Sequence, residues 1–329
     1  MNISEQLNDK PVIGILTMPL TEMLGESSSK GKSFLPDAYV RWIENSGARV
    51  VPIQYNLTKP MMLGVLSQIN GVIIFGEVGN ENFIKTENKK NPDIIRWMKA
   101  AFIIYEFAKY ENHQDNYFPL LGIGMGYEEL YFMEANTNYY KNLGTGKRFS
   151  SNKLNGLVKI PVKRRPLRLT KTLDKFARFS KKDIKSWSKN KVMYSTNHYG
   201  INVKHGDFLQ IHAKDKSSSK EFITMYSFKE YPFYGFIFHP EMVHYNWAND
   251  KIPNKNIDVT VDFSQKMSNF FVDECRQNNT QLKSKKILIY NYTLYSPSRI
   301  LQLLYPDNWE SVQFKKHFTP MYFFGLVGN

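Results

Sequence analysis

The stretch whose residue types and spacing are laid out for chemistry is Leu120 to Leu130, Leu-Leu-Gly-Ile-Gly-Met-Gly-Tyr-Glu-Glu-Leu. An apolar run from Tyr117 to Leu121 leads into glycines at 122, 124 and 126, and a helix-like pattern starts at Tyr127. That is the layout of a nucleophile elbow, a sharp strand-to-helix turn with small flanking residues and a nucleophile at its apex. The apex residue here is Gly124, which has no side chain. A turn built to present a nucleophile presents nothing. The same glycines match a phosphate loop only loosely, because the third-glycine spacing and the lysine of such loops are missing.

The only cysteine, Cys275, excludes an intrachain disulfide and a thiolate metal cluster. Its neighbours Phe270, Phe271, Val272 and Arg276 place it on an amphipathic helix, as a packed thiol rather than an activated one. His113, His205, His212, His244 and His317 show no metal-ligand spacing with nearby acids, so no metal and no cofactor are expected.

The elements that must position the elbow are legible from hydrophobic pattern. Val12–Leu16, Arg49–Ile53 and Val72–Phe75 read as short buried strands, the third ending on Gly76, and Phe118–Gly122 as a fourth entering the elbow. Between them, helical patterns run from Asp37 to a stop at Asn45-Ser46-Gly47, from Leu57 to Gln68, and from Asn91-Pro92 to about Lys109. This alternation predicts an α/β fold, a parallel sheet covered on both faces, with its site at the carboxyl ends of the strands. Further on, Glu221–Tyr226 and Tyr234–Phe238 read as paired strands, Asp258–Gln277 as an amphipathic helix and Ile287–Tyr295 as another strand.

At 329 residues, 42% hydrophobic and 22% charged, the chain reads as globular and soluble. No apolar run approaches membrane-spanning length. The first ten residues match neither a secretory signal nor a mitochondrial presequence, so an intracellular protein is expected. The net charge of +14 is concentrated between Lys163 and Lys191, which holds twelve Lys/Arg and two acids. Such a segment is either a solvated face or a contact for an anionic partner, an acidic surface or RNA, through Lys163, Arg164, Arg165, Arg168, Lys181 and Lys182.

Several stretches together resemble the gamma-glutamyl hydrolase family of the class I glutamine amidotransferase-like superfamily. They are Pro11 to Thr17, Ser46 to Pro52, Ile69 to Val72, Tyr117-Phe118-Pro119 with Gly126 to Leu130, Tyr231-Pro232 with Tyr234-Gly235, His239-Pro240-Glu241 with Tyr245 and Trp247, and Phe270 to Val272 with Glu274, Arg276 and Asn278. The resemblance implies a three-layer α/β/α fold with a central, mainly parallel sheet. It implies an enzyme that hydrolyses the gamma-linked glutamate chain of folates through a cysteine thioester. Carried over residue by residue, it puts the nucleophile on Gly124, the base on His239 with Glu241 behind it, and a substrate-side histidine on His198. Where the family has Pro-Gly-Gly at its oxyanion region, this chain has Phe75-Gly76-Glu77, with Met125 after the apex as the other member of that region. A carboxylate there opposes the negative charge that must develop. Both departures point to an inactive relative.

If the site is inactive, function moves to the surface. The chain divides into a hydrolase-like domain, 1–294, and an aromatic extension, 295–329, whose Trp309 and Phe323 read as interface anchors or as residues packed back on the domain. The leading expectation is an accessory subunit of a large assembly. A mitochondrial complex, a mitochondrial ribosome and an axonemal microtubule each fit that description, and with them a mitochondrial or ciliary location. The competing expectations are residual folate gamma-glutamyl hydrolysis, with Glu77 and His239 activating water directly, and RNA binding through the basic segment.

Overall fold

The structure, a computed structural model, describes residues 7–20, 31–76, 92–135, 141, 157–160, 163–170, 179–245, 256–304 and 319–325. In chain order the first strands are β1 (Val12–Leu16), β2 (Met18–Pro19), β3 (Ser33–Pro36), β4 (Arg49–Ile53), β5 (Gly71–Gly76) and β6 (Leu120–Gly124). They are followed by β7 (Leu157–Lys159), β8 (Lys163–Arg165), β9 (Met193–Ser195), β10 (Tyr199–Ile201), β11 (Leu209–Ser217), β12 (Lys220–Phe228), β13 (Phe233–Phe236), β14 (Leu294–Tyr295) and β15 (Met321–Phe324). The helices used below are α1 (Asp37–Glu44), α2 (Lys59–Leu66), α3 (Pro92–His113), α4 (Met125–Ala135), α5 (Lys181–Lys189), α6 (Ile257–Cys275) and α7 (Pro297–Leu304).

A seven-stranded sheet in the order β11-β12-β13-β6-β5-β1-β4 is the centre of the molecule. The five strands from β13 to β4 run parallel, and β12 and β11 close one edge antiparallel. Every residue of β1, β5 and β6 is buried, so both faces of the parallel region are covered, as a continuous apolar strand requires. Helices α1 and α6 pack together, with Trp42 donating its indole N–H to the Ser264 carbonyl at 2.9 Å, and α5 rests on α6. Helix α3 packs against α2 and α4. The fold is the expected α/β class.

Of the boundaries that differ from the sequence reading, three change the description of an element. Strand β6 runs to Gly124 instead of stopping at Gly122, because its pairing with β5 continues to Gly76 opposite Gly124. Helix α4 then starts directly at Met125, two residues before the pattern predicts. The strand expected over Ile287–Tyr295 is replaced by short 3-10 turns, with only Leu294–Tyr295 extended. The Asn291 side chain closes that turn by donating to the Lys285 carbonyl at 2.9 Å. Its Tyr290 and Leu294 side chains are exposed.

The chain's last described strand, β15, pairs antiparallel with β3 from Met321 opposite Pro36 to Phe324 opposite Ser33, and with β14 on its other side. The Asp37 N–H donates to the Pro320 carbonyl at 3.0 Å, so the same strand holds the start of α1. Phe323 is therefore not an exposed interface anchor. It is 1% exposed and meets the Tyr295 ring edge-on at 5.7 Å, because pairing to β3 turns it inward. Trp309 lies outside the described residues.

Tyr322 in β15 has its pKa pushed up to about 12, by burial first and then by the nearby carboxylates of Asp37 and Glu44, and it hydrogen-bonds Asp37. A folded-state pKa raised above the unfolded value near 10 gives stability that is fully present below that value and lost as pH rises through about 12. Thermal melts across that window should show wild type losing stability while Tyr322→Phe, slightly less stable at neutral pH for want of one hydrogen bond, stays flatter. Parallel pH profiles for the two proteins would refute this.

Candidate active site

The elbow is present in three dimensions. Gly124 has φ of +59°, the left-handed value that costs an L-residue with a side chain about 1 kcal/mol. It is the last residue of β6, directly before the first of α4, at the carboxyl end of the parallel sheet. Gly126 permits the tightness of the turn. A Cβ there would lie 1.8 Å from the Ile74 carbonyl oxygen, so the first turn of α4 rests directly on the β5 backbone.

What surrounds the apex is less roomy than a nucleophile needs. A Cβ on Gly124 would sit 2.6 Å from the Gly76 carbonyl oxygen and 2.7 and 2.8 Å from Cε1 and Nε2 of His239. The imidazole thus occupies the space next to the apex that a nucleophile's side chain would take up. Of the three oxyanion-region residues, Gly76 pairs with Gly124 at the end of β5, and Met125 is buried with its side chain packed over Gly76. Glu77 lies outside the described residues.

His239 and Glu241 are both fully buried and bonded to each other, Nδ1 to Oε1, at 3.0 Å. The Tyr39 hydroxyl, from α1, is 3.3 Å from the same Nδ1. On the other side of the ring, the Thr196 hydroxyl lies 2.9 Å from Nε2. With Nδ1 protonated toward the carboxylate, Nε2 accepts from Thr196, and both ring nitrogens are engaged. A hydroxyl, an imidazole and a carboxylate are therefore in line, but the hydroxyl comes from the segment after β9 and not from the elbow. The segments are registered by the His239 N–H donating to the Tyr194 carbonyl at 2.8 Å. Next to Thr196, Asn197 donates to Glu128 Oε1 at 3.0 Å, tying this segment to the first turn of α4.

Thr196 and Tyr39 carry no mark in the sequence that links them to His239. Thr196 stands in a polar run, Ser195 to His198, that no elbow presents, and only the pairing through Tyr194 reveals its place. His198 itself is half-buried, with its carbonyl accepting the Ile160 N–H at 2.7 Å. Its ring makes no hydrogen bond to His239 among the described residues. Cys275 is fully buried, its thiol pushed up by burial and then by Glu274. Its sulfur packs at Gly71, the opposite end of β5 from Gly76 and about 16 Å away at ~3.3 Å per residue, out of reach of the elbow. Among the described residues no cluster of His, Cys, Asp and Glu could hold a metal.

The basic segment divides into an inner and an outer part. Arg165 is buried and paired with Asp215 at 2.7 Å, and Arg164 is half-buried beside the Tyr194 ring at 5.9 Å. These two are not exposed partner contacts, because Arg165 is held by Asp215 and lies over the Phe222 ring, and Arg164 lies over the Tyr194 ring. Arg168, Lys181 and Lys182 are exposed, and the Lys163 side chain lies outside the described residues.

Packing at the apex gives a quantitative expectation. Gly124→Ala and Gly124→Cys should each cost about 1–3 kcal/mol in chemical denaturation, since a Cβ there meets backbone and imidazole. Gly64→Ala, in α2 with nothing within 4 Å of its Cβ, should instead stabilise by about 0.5–1 kcal/mol. A Gly124→Ala protein as stable as wild type would show that the apex is open.

With this geometry established, comparison with known proteins gives a consistent answer. The Peptidase C26 family model matches residues 11–241. Gamma-glutamyl hydrolase B of Dictyostelium discoideum is 29% identical over 89% of this chain and 81% of its own length. The gamma-glutamyl hydrolase of Homo sapiens is 27% identical over 86% and 85%, and gamma-glutamyl hydrolase 2 of Arabidopsis thaliana 26% over 87% and 79%. Among solved structures, PurLQS from Thermotoga maritima matches at 14% identity and a TM-score of 0.44, over 78% of this chain and 98% of that one. Fold, elbow and the buried His239–Glu241 pair thus coincide with a family match across most of the chain, and the protein belongs to the peptidase C26 family.

Proposed function

We propose that this chain is a catalytically silent member of its family, a folded scaffold acting as an accessory subunit of a larger assembly. The observation that carries the reading is the apex: Gly124 offers no nucleophile, and the ring that would serve as its base stands against the position its side chain would occupy. A cysteine hydrolase needs a thiolate at that position and backbone donors poised for the oxyanion. Loss of the nucleophile alone removes several orders of magnitude of rate. Restoring the atom without the space does not restore the site.

Single-turnover hydrolysis of a pteroyl-polyglutamate should therefore be at background for wild type, Gly124→Cys and His239→Ala alike. Turnover by wild type that His239→Ala abolishes would overturn the reading. The accessory role is read separately, from the native size of the protein in a gentle lysate. A large complex is expected, and a free monomer would sink that role.

The 2.9 Å contact of Thr196 with Nε2 favours one second reading, hydrolysis by a relocated hydroxyl. In that case the Thr196 oxygen attacks the acyl carbon while its proton passes to His239, held by Glu241; the imidazole returns that proton to the amine as the C–N bond breaks, and water then hydrolyses the ester. Activity surviving in Gly124→Ala but lost in Thr196→Ala would select this reading over the first.

A further inference from the structure

The outer face of α5 presents charge that the fold does not use. Its inner side is well anchored: Trp187 is fully buried between Phe179 and Phe263, with ring centroids at 5.0 and 5.1 Å. The helix starts on a capping box, in which the Ser180 side chain accepts from the Asp183 N–H and the Asp183 carboxylate accepts from the Ser180 N–H. Asp183 also pairs with Lys266 at 2.7 Å, so the one acid of the helix is committed inward. Left outside are Lys181, Lys182, Lys185 and Lys189, all exposed, with Lys191 just beyond. Among the described residues none of them takes part in an ion pair.

This arrangement works against the helix that carries it. Lys181 and Lys182 put positive charge in the first turn, where the helix dipole is already positive. Lys181 with Lys185, and Lys185 with Lys189, are like charges at the i, i+4 spacing that repels. A cationic row with a repeat of roughly 6 Å is thus held in place by Trp187 and the capping box, against its own electrostatics. Local rules broken without a compensating contact mark surfaces kept for another purpose.

The chemistry of the face selects its partner. No large apolar side chain is exposed on α5, so nothing is available to enter a lipid layer. Trp187 and Phe179 are buried and give no platform for a nucleic-acid base, and of the phosphate-gripping arginines Arg165 is buried, Arg164 is half-buried, and the exposed Arg168 lies 3.9 Å from the Asp215 carboxylate. What remains is a row of separate ammonium groups, suited to separate carboxylates. We propose that the Lys181–Lys189 face docks an acidic, carboxylate-rich segment of a partner protein. The proposal deepens the accessory role, and its test reads binding alone, so hydrolysis in the assay above would leave it standing.

The test uses the full chain and a labelled alanine-rich helical peptide with glutamate at every fourth position. The glutamine version of that peptide, a single-stranded oligouridylate and vesicles containing phosphatidylserine serve as comparators. The glutamate peptide should bind, weaken steeply with added salt, and outcompete all three comparators. The Lys181→Glu, Lys185→Glu, Lys189→Glu triple variant should lose about tenfold or more in affinity, and its Lys→Gln counterpart, which removes the like-charge pairs along α5, should melt no lower than wild type. The corresponding Lys→Gln triple variant should lose affinity as well. No binding of the glutamate peptide, tighter binding of RNA or vesicles, or unchanged affinity in the Lys→Gln triple variant would each overturn the proposal.

Discussion

Helix α4 meets strand β5 with no side chain between the two backbones, and the arrangement of the site follows from that contact. Because Gly126 lets the helix rest on the Ile74 carbonyl, the chain can leave β6, turn at Gly124 with positive φ, and enter α4 without a connecting loop. A side chain at position 126 would push the helix away from the sheet, and with it Glu128 and its bond to Asn197. The elbow is therefore a packing device in its own right. It is required by the fold whatever its apex carries.

The site around that turn has settled into a closed set of mutual contacts. A buried imidazole and a buried carboxylate are costly unless each finds a partner, and here they bond one another through Nδ1 and Oε1, with Glu241 Oε2 left without a hydrogen bond among the described residues. The remaining ring nitrogen, which in a thiol hydrolase would face the nucleophile, is met by the Thr196 hydroxyl. The same geometry is the minimal layout of a hydroxyl nucleophile, so the structural and the chemical roles of Thr196 differ in reactivity and not in position.

The parts of this structure legible in the sequence are those fixed by local pattern. The runs Val12–Leu16 and Arg49–Ile53 are continuous apolar strands because both sheet faces are covered, and they stand where the pattern puts them. The glycines at 122, 124 and 126 announced the elbow, though not that β6 would continue its ladder to the apex. Contacts fixed by long-range register could not be read this way. Thr196 reaches His239 only because the backbone pairs at Tyr194, and Arg165 is held inward by Asp215. Charge counting gives one basic segment, whereas the fold buries Arg165 and leaves Arg168 and the lysines of α5 outside. The Ser180-x-x-Asp183 box that starts α5 is a local signal that pattern reading can use.

The pairing of β15 with β3 joins residues near the two ends of the chain, Met321 with Pro36. Contacts of such sequence separation form late, because closing the intervening loop costs entropy before the strands repay it. During synthesis, then, β3 must wait with one edge open until Met321–Phe324 has been made. An open strand edge is a template for pairing with another chain. A chain shortened before Met321 keeps the elbow, the seven-stranded sheet and His239, yet leaves that edge exposed to its neighbours and to proteases.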